Sequence, residues 1–360
     1  MTLAISGTTG ITLAGQFDSA SSFGFKNRII NGAMMIDQRN AGAALTVNSG
    51  TDFFAVDRFL AVGTASSGVF TVQRSSTAPT GFINSLVATV TTADASLAAT
   101  DQYYVSQIIE GLNVADLAWG TASAATVTLS FWVYSSLTGT FGGAIRNSAQ
   151  NRSYPFTYTI SSANTWDQKT VTIAGDTSGT WLTTNGKGLD ITWTLGLGST
   201  YSGTAGAWAA ANYKGASGVT NVMATNGATF YITGVQLEKG STATSFDVRP
   251  YGTELQLCQR YCFVPASNSR YVGQCDATTR ALMIYVFPQT MRTGVSATLA
   301  SATSYTITAA GGGTIASTAV SLAAGFVNTA QLTITVASGL VAGNATIVTA
   351  SGTTIFSAEL

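Results

Sequence analysis

The sequence predicts an all-β protein: a jelly-roll β-sandwich, then a short helix, then a smaller C-terminal β-sandwich. Three observations lead there. Short runs of β-branched and aromatic residues alternate with polar ones at period two. Gly, Ser, Asn and Asp punctuate those runs, and helical periods are scarce. A chain of 360 residues also exceeds one ordinary core and suits two domains.

In chain order, residues 1–26 stand apart as an arm. SGTTGITLAG alternates weakly and runs into a small polar stretch at 18–22, a piece that cannot bury a core alone. It is either a mobile tail or a strand that pairs only with another subunit, and the second suits a docking arm. The next unit, 27–250, is the sandwich. Its clearest strands are 126–134, with Val127, Leu129, Phe131 and Val133 on one face, and 189–197, with Leu189, Ile191, Trp193, Leu195 and Leu197 on one face. The other strands expected are 53–61, 68–74, 82–91, 102–110, 141–147, 154–160, 166–174 and 229–238. In the last, Phe230 and Ile232 share a face while Val235 and Leu237 fall out of phase, and Gly234 at the phase change predicts a bulge. Ten strands over about 220 residues fit a jelly roll. Residues 112–119 are expected to make one or two helical turns. Arg249-Pro250 marks a boundary, a linking helix follows within 251–262, and 263–360 form the small β domain. From 293 to 358 there is not one charged residue. A solitary β surface so poor in charge is prone to edge pairing, so burial against copies of the chain is expected.

Composition excludes several functions. Lys plus Arg is 16 and Asp plus Glu is 16, with only 9% of residues charged, so nucleic acid and acidic membranes find no electrostatic footprint. There is no His, which removes His triads, His metal ligands and the usual near-neutral proton shuttle. Three Cys without His cannot build a common zinc site. Cys258 and Cys262 lie four apart on the helix, poor disulfide geometry. A Cys262–Cys275 bridge would leave an odd thiol, so three buried thiols are expected. No stretch is long and apolar enough to cross a bilayer, and the opening residues lack the basic and apolar regions of a Sec signal. Synthesis in a cytoplasm without Sec export is the expectation.

No catalytic residue is expected. Glycosidase chemistry needs two carboxyl groups roughly 5–10 Å apart in a cleft. Asp37 near Arg39, Asp57 beside Arg58, Asp176 in a turn and Asp247 ahead of Arg249 have structural explanations, which leaves Asp101, Glu110, Asp116, Asp167, Asp190 and Glu238 with no favourable spacing. A calcium ion wants six to eight oxygen ligands; no Asp-rich loop offers them, and no metal or cofactor is expected. Gly-rich 310–313 is a turn and not a phosphate cradle. Aromatics are the better resource, because sugars stack their C–H faces on such rings while polar neighbours take the hydroxyls. Tyr201, Trp208 and Tyr213 lie in a Gly/Ala/Ser-rich loop, where binding residues tend to cluster. Trp132 and Tyr134 stand on the non-aliphatic face of their strand, as a second-layer contact or an exposed platform. These five are the candidate glycan contacts.

Two blocks carry a resemblance. FGFKNRIINGAMMIDQRNAG (23–42) resembles the opening of a family of tailed-bacteriophage and prophage appendage proteins. FYITGVQLEKGSTATSFDVRPYGTELQLCQRYC (230–262) resembles the same family's jelly-roll end and connecting helix. TWDQKTVTIAGDTSGTW (165–181) is similar to the strand-turn pattern of carbohydrate-binding-module-like jelly rolls, and the ending FSAEL resembles the family's C-terminus. The resemblance spans residue 23 to the end, with the loops between blocks unmatched. It implies a homotrimeric virion structural protein, assembled in the host bacterial cytoplasm, in a tail fibre, spike or head fibre that presents its sandwich to a host surface polysaccharide. On that reading Ile5, Thr8, Ile11, Leu13, Phe25, Asn27 and Arg28 dock the protein to other virion proteins of tail or capsid. The rivals are a capsid decoration or connector that binds no receptor and, behind it, a glycan depolymerase.

Overall fold

In the computed structural model the described residues are 3–6, 10–13, 25–64, 67–309 and 312–360. The hairpin β1 (Leu3–Ser6) and β2 (Gly10–Leu13) is antiparallel, with Ile5 opposite Ile11 and Leu3 opposite Leu13. Thr8, named above as a docking residue, and residues 310 and 311 of the Gly-rich turn lie outside the described residues.

Twelve strands build the main sandwich: β3 (Leu45–Val47), β4 (Thr51–Val56), β5 (Phe59–Gly63), β6 (Val69–Ser75), β7 (Ser85–Thr92), β8 (Gln102–Glu110), β9 (Val127–Ser135), β10 (Gly139–Arg146), β11 (Ser153–Ile160), β12 (Asp167–Ile173), β13 (Lys187–Leu197) and, after the short parallel pair β14 (Ser202–Gly203) and β15 (Gly215–Ala216), β16 (Thr229–Lys239). One sheet runs β11-β10-β13-β8-β5-β4 and the other β12-β9-β16-β7-β6-β3. Their apolar faces meet in one core, the arrangement that period-two patterning demands. Trp193 is fully buried at its centre, 5.8 Å from the ring of Phe131 and 6.3 Å from that of Phe59.

Three expectations need comment. The strand expected over 53–61 is two strands, β4 and β5, turning at Asp57 and Arg58, where Arg58 adopts φ 72°. Phe53 pairs with Ala61 and Phe54 with Leu60, so alternation carries across the turn and hides the reversal, and only a slip before Val56 sets Val56 opposite Phe59. The helical turns expected over 112–119 are two short 3-10 turns, Gly111–Asn113 and Ala115–Leu117. The bulge at Gly234 is present: φ is 59°, the register with β9 slips between Thr233 and Gln236, and Val235 and Leu237 return to the core.

Residues 27–36 form a strap bonded to β16, to β8 and to the β4–β5 turn. Asn27 Nδ2 donates to Val235 O at 3.0 Å, while its Oδ1 accepts the backbone N–H groups of Ile29 (2.9 Å) and Leu237 (3.0 Å). Arg28 clamps Asp116 with both guanidinium nitrogens, at 2.7 and 2.8 Å, and reaches Asn113 O. Asn31 sits in the left-handed region that Asn tolerates, with its amide bonded to Ile36 and Asp57. Ile29, Met34 and Ile36 are buried. Of the two docking candidates, Asn27 is spent inside the fold, because a polar side chain that satisfies buried backbone groups has no capacity left for a partner; Arg28 is only half-buried, and its partners Asn113 and Asp116 are exposed. Phe25, by contrast, is 65% exposed, with the Arg249 guanidinium 5.6 Å from its ring centre.

After Pro250, helix α1 (Tyr251–Gln259) leads into the second unit. There β17 (Cys262–Phe263), β20 (Ser296–Thr298) and β26 (Ile355–Ser357) form a three-stranded sheet ordered β17-β26-β20. The strands β18 (Ser269–Ala277), β19 (Arg280–Val286), β21 (Tyr305–Thr308), β22 (Thr314–Ala316), β23 (Ala319–Gly325), β24 (Thr329–Thr335) and β25 (Ala345–Ala350) form a seven-stranded one. Its order, β22-β21-β25-β18-β19-β24-β23, puts β22 and β23 at opposite edges, yet only Ser317 and Thr318 separate them. Their N–H groups donate to Tyr305 O and Thr335 O, so the sheet curls on itself around a second core of its own.

Charged groups lock the two units together. Glu359 accepts from Arg39 (2.9 Å) and from the buried Arg58, whose guanidinium lies 3.7 Å over the Tyr261 ring. Glu110 accepts from Arg260 at 2.6 and 2.9 Å and from the Tyr261 hydroxyl at 2.6 Å. Burial opposes the charge on Glu110, but those hydrogen bonds hold its pKa below the usual carboxylate range. All three cysteines are free and buried, so Cys262 and Cys275 are not bridged, and burial pushes the Cys262 thiol up to about 12.

Candidate functional site

The aromatic candidates separate into two groups on opposite faces of the sandwich. On the outward face of the β12-β9-β16 sheet, Tyr134 pairs with Tyr231 across the ladder, and Trp166 precedes the Asp167–Val133 pair at the same level. The three half-buried rings form a compact, mutually tilted triangle, with centroids 5.5 Å apart for Tyr134–Trp166, 5.0 Å for Tyr134–Tyr231 and 6.1 Å for Trp166–Tyr231. The adjacent row is Gln168, Trp132 and Thr233, and the next is Thr170, Ser130 and Gln236. Gln168 and Thr170 are exposed. Thr233, Ser130 and Gln236 are buried, so the apolar rings stand beside the exposed amide of Gln168 and hydroxyl of Thr170 on a rigid sheet, and this geometry can seat a hydroxylated ligand. Trp132 lies lower, beside Phe82 at the bulge: a Cβ on Gly234 would come within 2.9 Å of one ring and 2.7 Å of the other.

Sequence reasoning found Trp132 and Tyr134 and missed Trp166 and Tyr231. The signal for Tyr231 was its parity, opposite to the core residues Phe230 and Ile232. Trp166 opens the strand expected over 166–174, one residue ahead of the observed β12, and its signal was its parity, shared with Gln168 and Thr170 and opposite to the inward Val171 and Ile173.

The loop group serves a different purpose. Trp208 is wedged edge-to-face among Trp119 (5.3 Å), Trp181 (5.4 Å) and Tyr154 (5.3 Å), and its Nε1 donates to Ala174 O at 2.8 Å. This tryptophan is half-buried, packs the loop onto the sandwich and has its N–H already taken. Tyr213 packs on Gly203, and Tyr201 lies beside Lys214, whose Nζ is 5.1 Å from that ring and 4.7 Å from the Tyr104 ring. The loop lies over the outward face of the β11-β10-β13-β8 sheet, bonded to it through Ser153, Pro155 and Thr192. Beneath it Arg146 pairs with Asp190, and Lys214 donates to Gln102 and Tyr104.

Burial, then the charge of Arg146, push the Lys214 amine down to about 8. A lysine depressed on folding binds fewer protons than the unfolded chain between pH of about 8 and about 10.4, so stability rises with pH across that window. Wild-type protein is expected to gain on the order of 1–2 kcal/mol there relative to Lys214→Met, the amine being only partly shielded. Urea unfolding of both proteins from pH 7 to 10.5 checks it; parallel curves would refute the depressed amine.

The carboxylates left unexplained by the sequence all have partners. Asp101 accepts the Ala98 N–H, Glu110 binds Arg260 and Tyr261, Asp116 binds Arg28, Asp167 binds Lys169, Asp190 binds Arg146 and Lys187, and Glu238 binds Thr244 and Gln236. Asp37 anchors a turn through the Asn40 and Gly42 N–H groups, Asp176 pairs with Arg152, and Asp247 lies 3.9 Å from Arg249. Among the described residues no group of three or more Cys, Asp or Glu could hold a metal ion.

No family model matches the sequence, and no curated protein does. Among solved structures the chain is similar to the enzymatically active domain of bacteriophage CBA120 tailspike protein 4, at 14% identity over 60% of this chain and 22% of that one, with a TM-score of 0.31. It is also similar to a CBM4 structure, at 15% identity over 58% of this chain and 98% of that one (TM-score 0.28). A family 11 carbohydrate-binding module from Clostridium thermocellum matches at 12% identity over 57% of this chain and all of that one (TM-score 0.27). The chain covers about a fifth of the tailspike structure it matches.

Proposed function

We propose that this chain is a bacteriophage virion appendage protein, homotrimeric and without catalytic activity, whose jelly roll holds a host-surface glycan by non-covalent contact. The observation that carries the proposal is the cluster of Trp166, Tyr134 and Tyr231, beside the exposed Gln168 and Thr170, on an outward sheet face. Sugar C–H faces stack on the rings and hydroxyls bond to the neighbouring amide and hydroxyl groups. Each site alone binds weakly, and repetition around an assembly multiplies that affinity through effective concentration. The resemblance of residues 23–42 and 230–262 to phage appendage proteins supports the virion setting. With Asn27 committed to the strap, Arg28, Phe25 and the hairpin before them remain as the docking elements of this reading.

A glycan array followed by calorimetry tests the proposal. Tyr134→Ala and Trp166→Ala are each expected to weaken binding about tenfold or more, as loss of an aromatic anchor commonly does, with far-UV circular dichroism unchanged. Glycan binding that survives both substitutions would remove the aromatic cluster from the mechanism. A wild-type protein that binds no glycan while sitting in the virion would favour the capsid decoration or connector role.

A further inference from the structure

The aromatic surface does not end at Tyr134. Two residues along β9, roughly 7 Å by strand rise, Trp132 faces the same side, and at the Gly234 bulge it stands beside Phe82. Phe82 packs edge-to-face on Phe246, with ring centres 5.1 Å apart. All three rings are half-buried, so each keeps a solvent-facing part. Phe82 and Phe246 then make one side of a cavity of about 180 Å³ between the strap and residues 246–254. Its other apolar walls are Met35, Ile83, Val248 and Tyr251, the last three exposed at the rim. Its polar side is Asp247, Arg249 and Glu254. The terminal nitrogens of Arg249 are spent on Asn27 O, Ile29 O and Glu254, and its buried Nε lies 3.9 Å from Asp247 Oδ2. Asp247 Oδ2 accepts the Asn27 N–H at 3.2 Å, while Oδ1 accepts no hydrogen bond among the described residues.

We propose that this cavity takes one uncharged acetamido sugar of the glycan that lies along the aromatic platform. The inference rests on the glycan reading above and adds the sugar that the site selects. Size limits the occupant: the cavity falls below the about 300–1,000 Å³ of a drug-sized site, so it admits one sugar unit and not a chain. Charge limits it further. Asp247 and Glu254 outnumber Arg249 among the lining residues, so a uronic or sialic acid meets a like charge and a neutral unit does not. The remaining polar capacity selects the substituent. Asn27, Asn31 and the Arg249 terminal nitrogens are already bonded within the fold, which leaves one open acceptor, Asp247 Oδ1. A plain hexose would bring hydroxyls against Met35, Ile83 and Val248 with nothing to pair them. An acetamido group brings one N–H for Asp247 and one methyl for the apolar walls, and the exposed rim leaves its carbonyl to water.

Calorimetry on the full chain with the tetramers of N-acetylglucosamine and of glucose in the same linkage tests this, since the two differ only in acetamido against hydroxyl. Wild type is expected to hold the acetamido chain at least about tenfold more tightly, the low end of what one added methyl is worth in an apolar pocket. Ile83→Asp sets a charge on the apolar rim. Asp247→Asn turns the open acceptor into a donor, its oxygen being kept by the Asn27 N–H. Each is expected to abolish the preference while the glucose tetramer is held as by wild type, whereas Tyr134→Ala weakens both chains alike. Should Asp247→Asn unfold, Ile83→Asp carries the test, because Ile83 is 68% exposed. Equal wild-type affinity for the two tetramers, or a preference that survives the cavity substitutions, overturns the inference and leaves the platform standing. A wild type that binds neither tetramer also overturns the cavity's assignment, and one that binds no glycan on the array overturns the platform with it.

Discussion

Gly32→Ala is expected to destabilise the main sandwich by about 3 kcal/mol, in the range that overpacking a closed site costs. A Cβ at this position would lie 2.1 Å from Val235 O and 3.2 Å from its carbonyl carbon, and both are backbone atoms. The clash has no easy relief. Val235 N donates to Gly32 O at 3.0 Å, Asn27 holds Val235 and Leu237, and Asn31 holds Ile36 and Asp57 on the other side. Moving the strap breaks buried hydrogen bonds, each expensive to leave unmade. For a unit of this size the loss corresponds to a fall in Tm of about 6–12 °C. Gly252→Ala is the control: it lies in helix α1 with nothing within 4 Å of its Cβ position, and it should be neutral or slightly stabilising. Equal urea midpoints for Gly32→Ala and wild type would show that the strap yields.

The second large effect is at Glu359. Its carboxylate sits between Arg39 and Arg58, and Arg58 is 2% exposed. Glu359→Ala leaves the Arg58 guanidinium with the Ile108 carbonyl and the Tyr261 ring, a buried charge without its anion. Removing one partner of such a pair costs about 3–5 kcal/mol. Because Glu359 belongs to the second unit and Arg58 to the first, the loss should appear as looser coupling between them. Thermal unfolding is expected to split into two transitions, and limited proteolysis to cut near residues 260–268. Glu359→Gln, which keeps an acceptor, should fall between the two. A single undivided transition at the wild-type temperature in Glu359→Ala would mean that Arg260, Tyr261 and Arg292 hold the units without it.

Much of the fold was legible because period two survives wherever one face is buried. β8 is predicted with its observed ends, and β9, β11 and β13 lie within two residues of theirs. What the pattern hides is any reversal that preserves parity, and β4 and β5 are that case. The strap was legible only as a block of resemblance. The roles of Asn27 and Gly32 depend on partners more than 200 residues away, and that of Asn31 on the nearer Ile36 and Asp57; no local period encodes any of them. The aromatic platform was half legible, since parity assigns Trp132 and Tyr134 to the outward face. The partial burial of Trp208 came from three rings supplied by separate segments, which its Gly/Ala/Ser-rich surroundings concealed.

Asn27 finds Val235 and Leu237 across 208 and 210 positions of sequence. On a ribosome that adds about 5–20 residues each second, Ile29, Met34 and Ile36 wait on the order of 10–40 s for β16 to emerge. Until then the nascent chain carries an unclosed greasy seam, so folding of the first unit is effectively deferred to the end of its own translation. Yield in the cell should accordingly depend on holdase chaperones more than on the final stability of the folded protein.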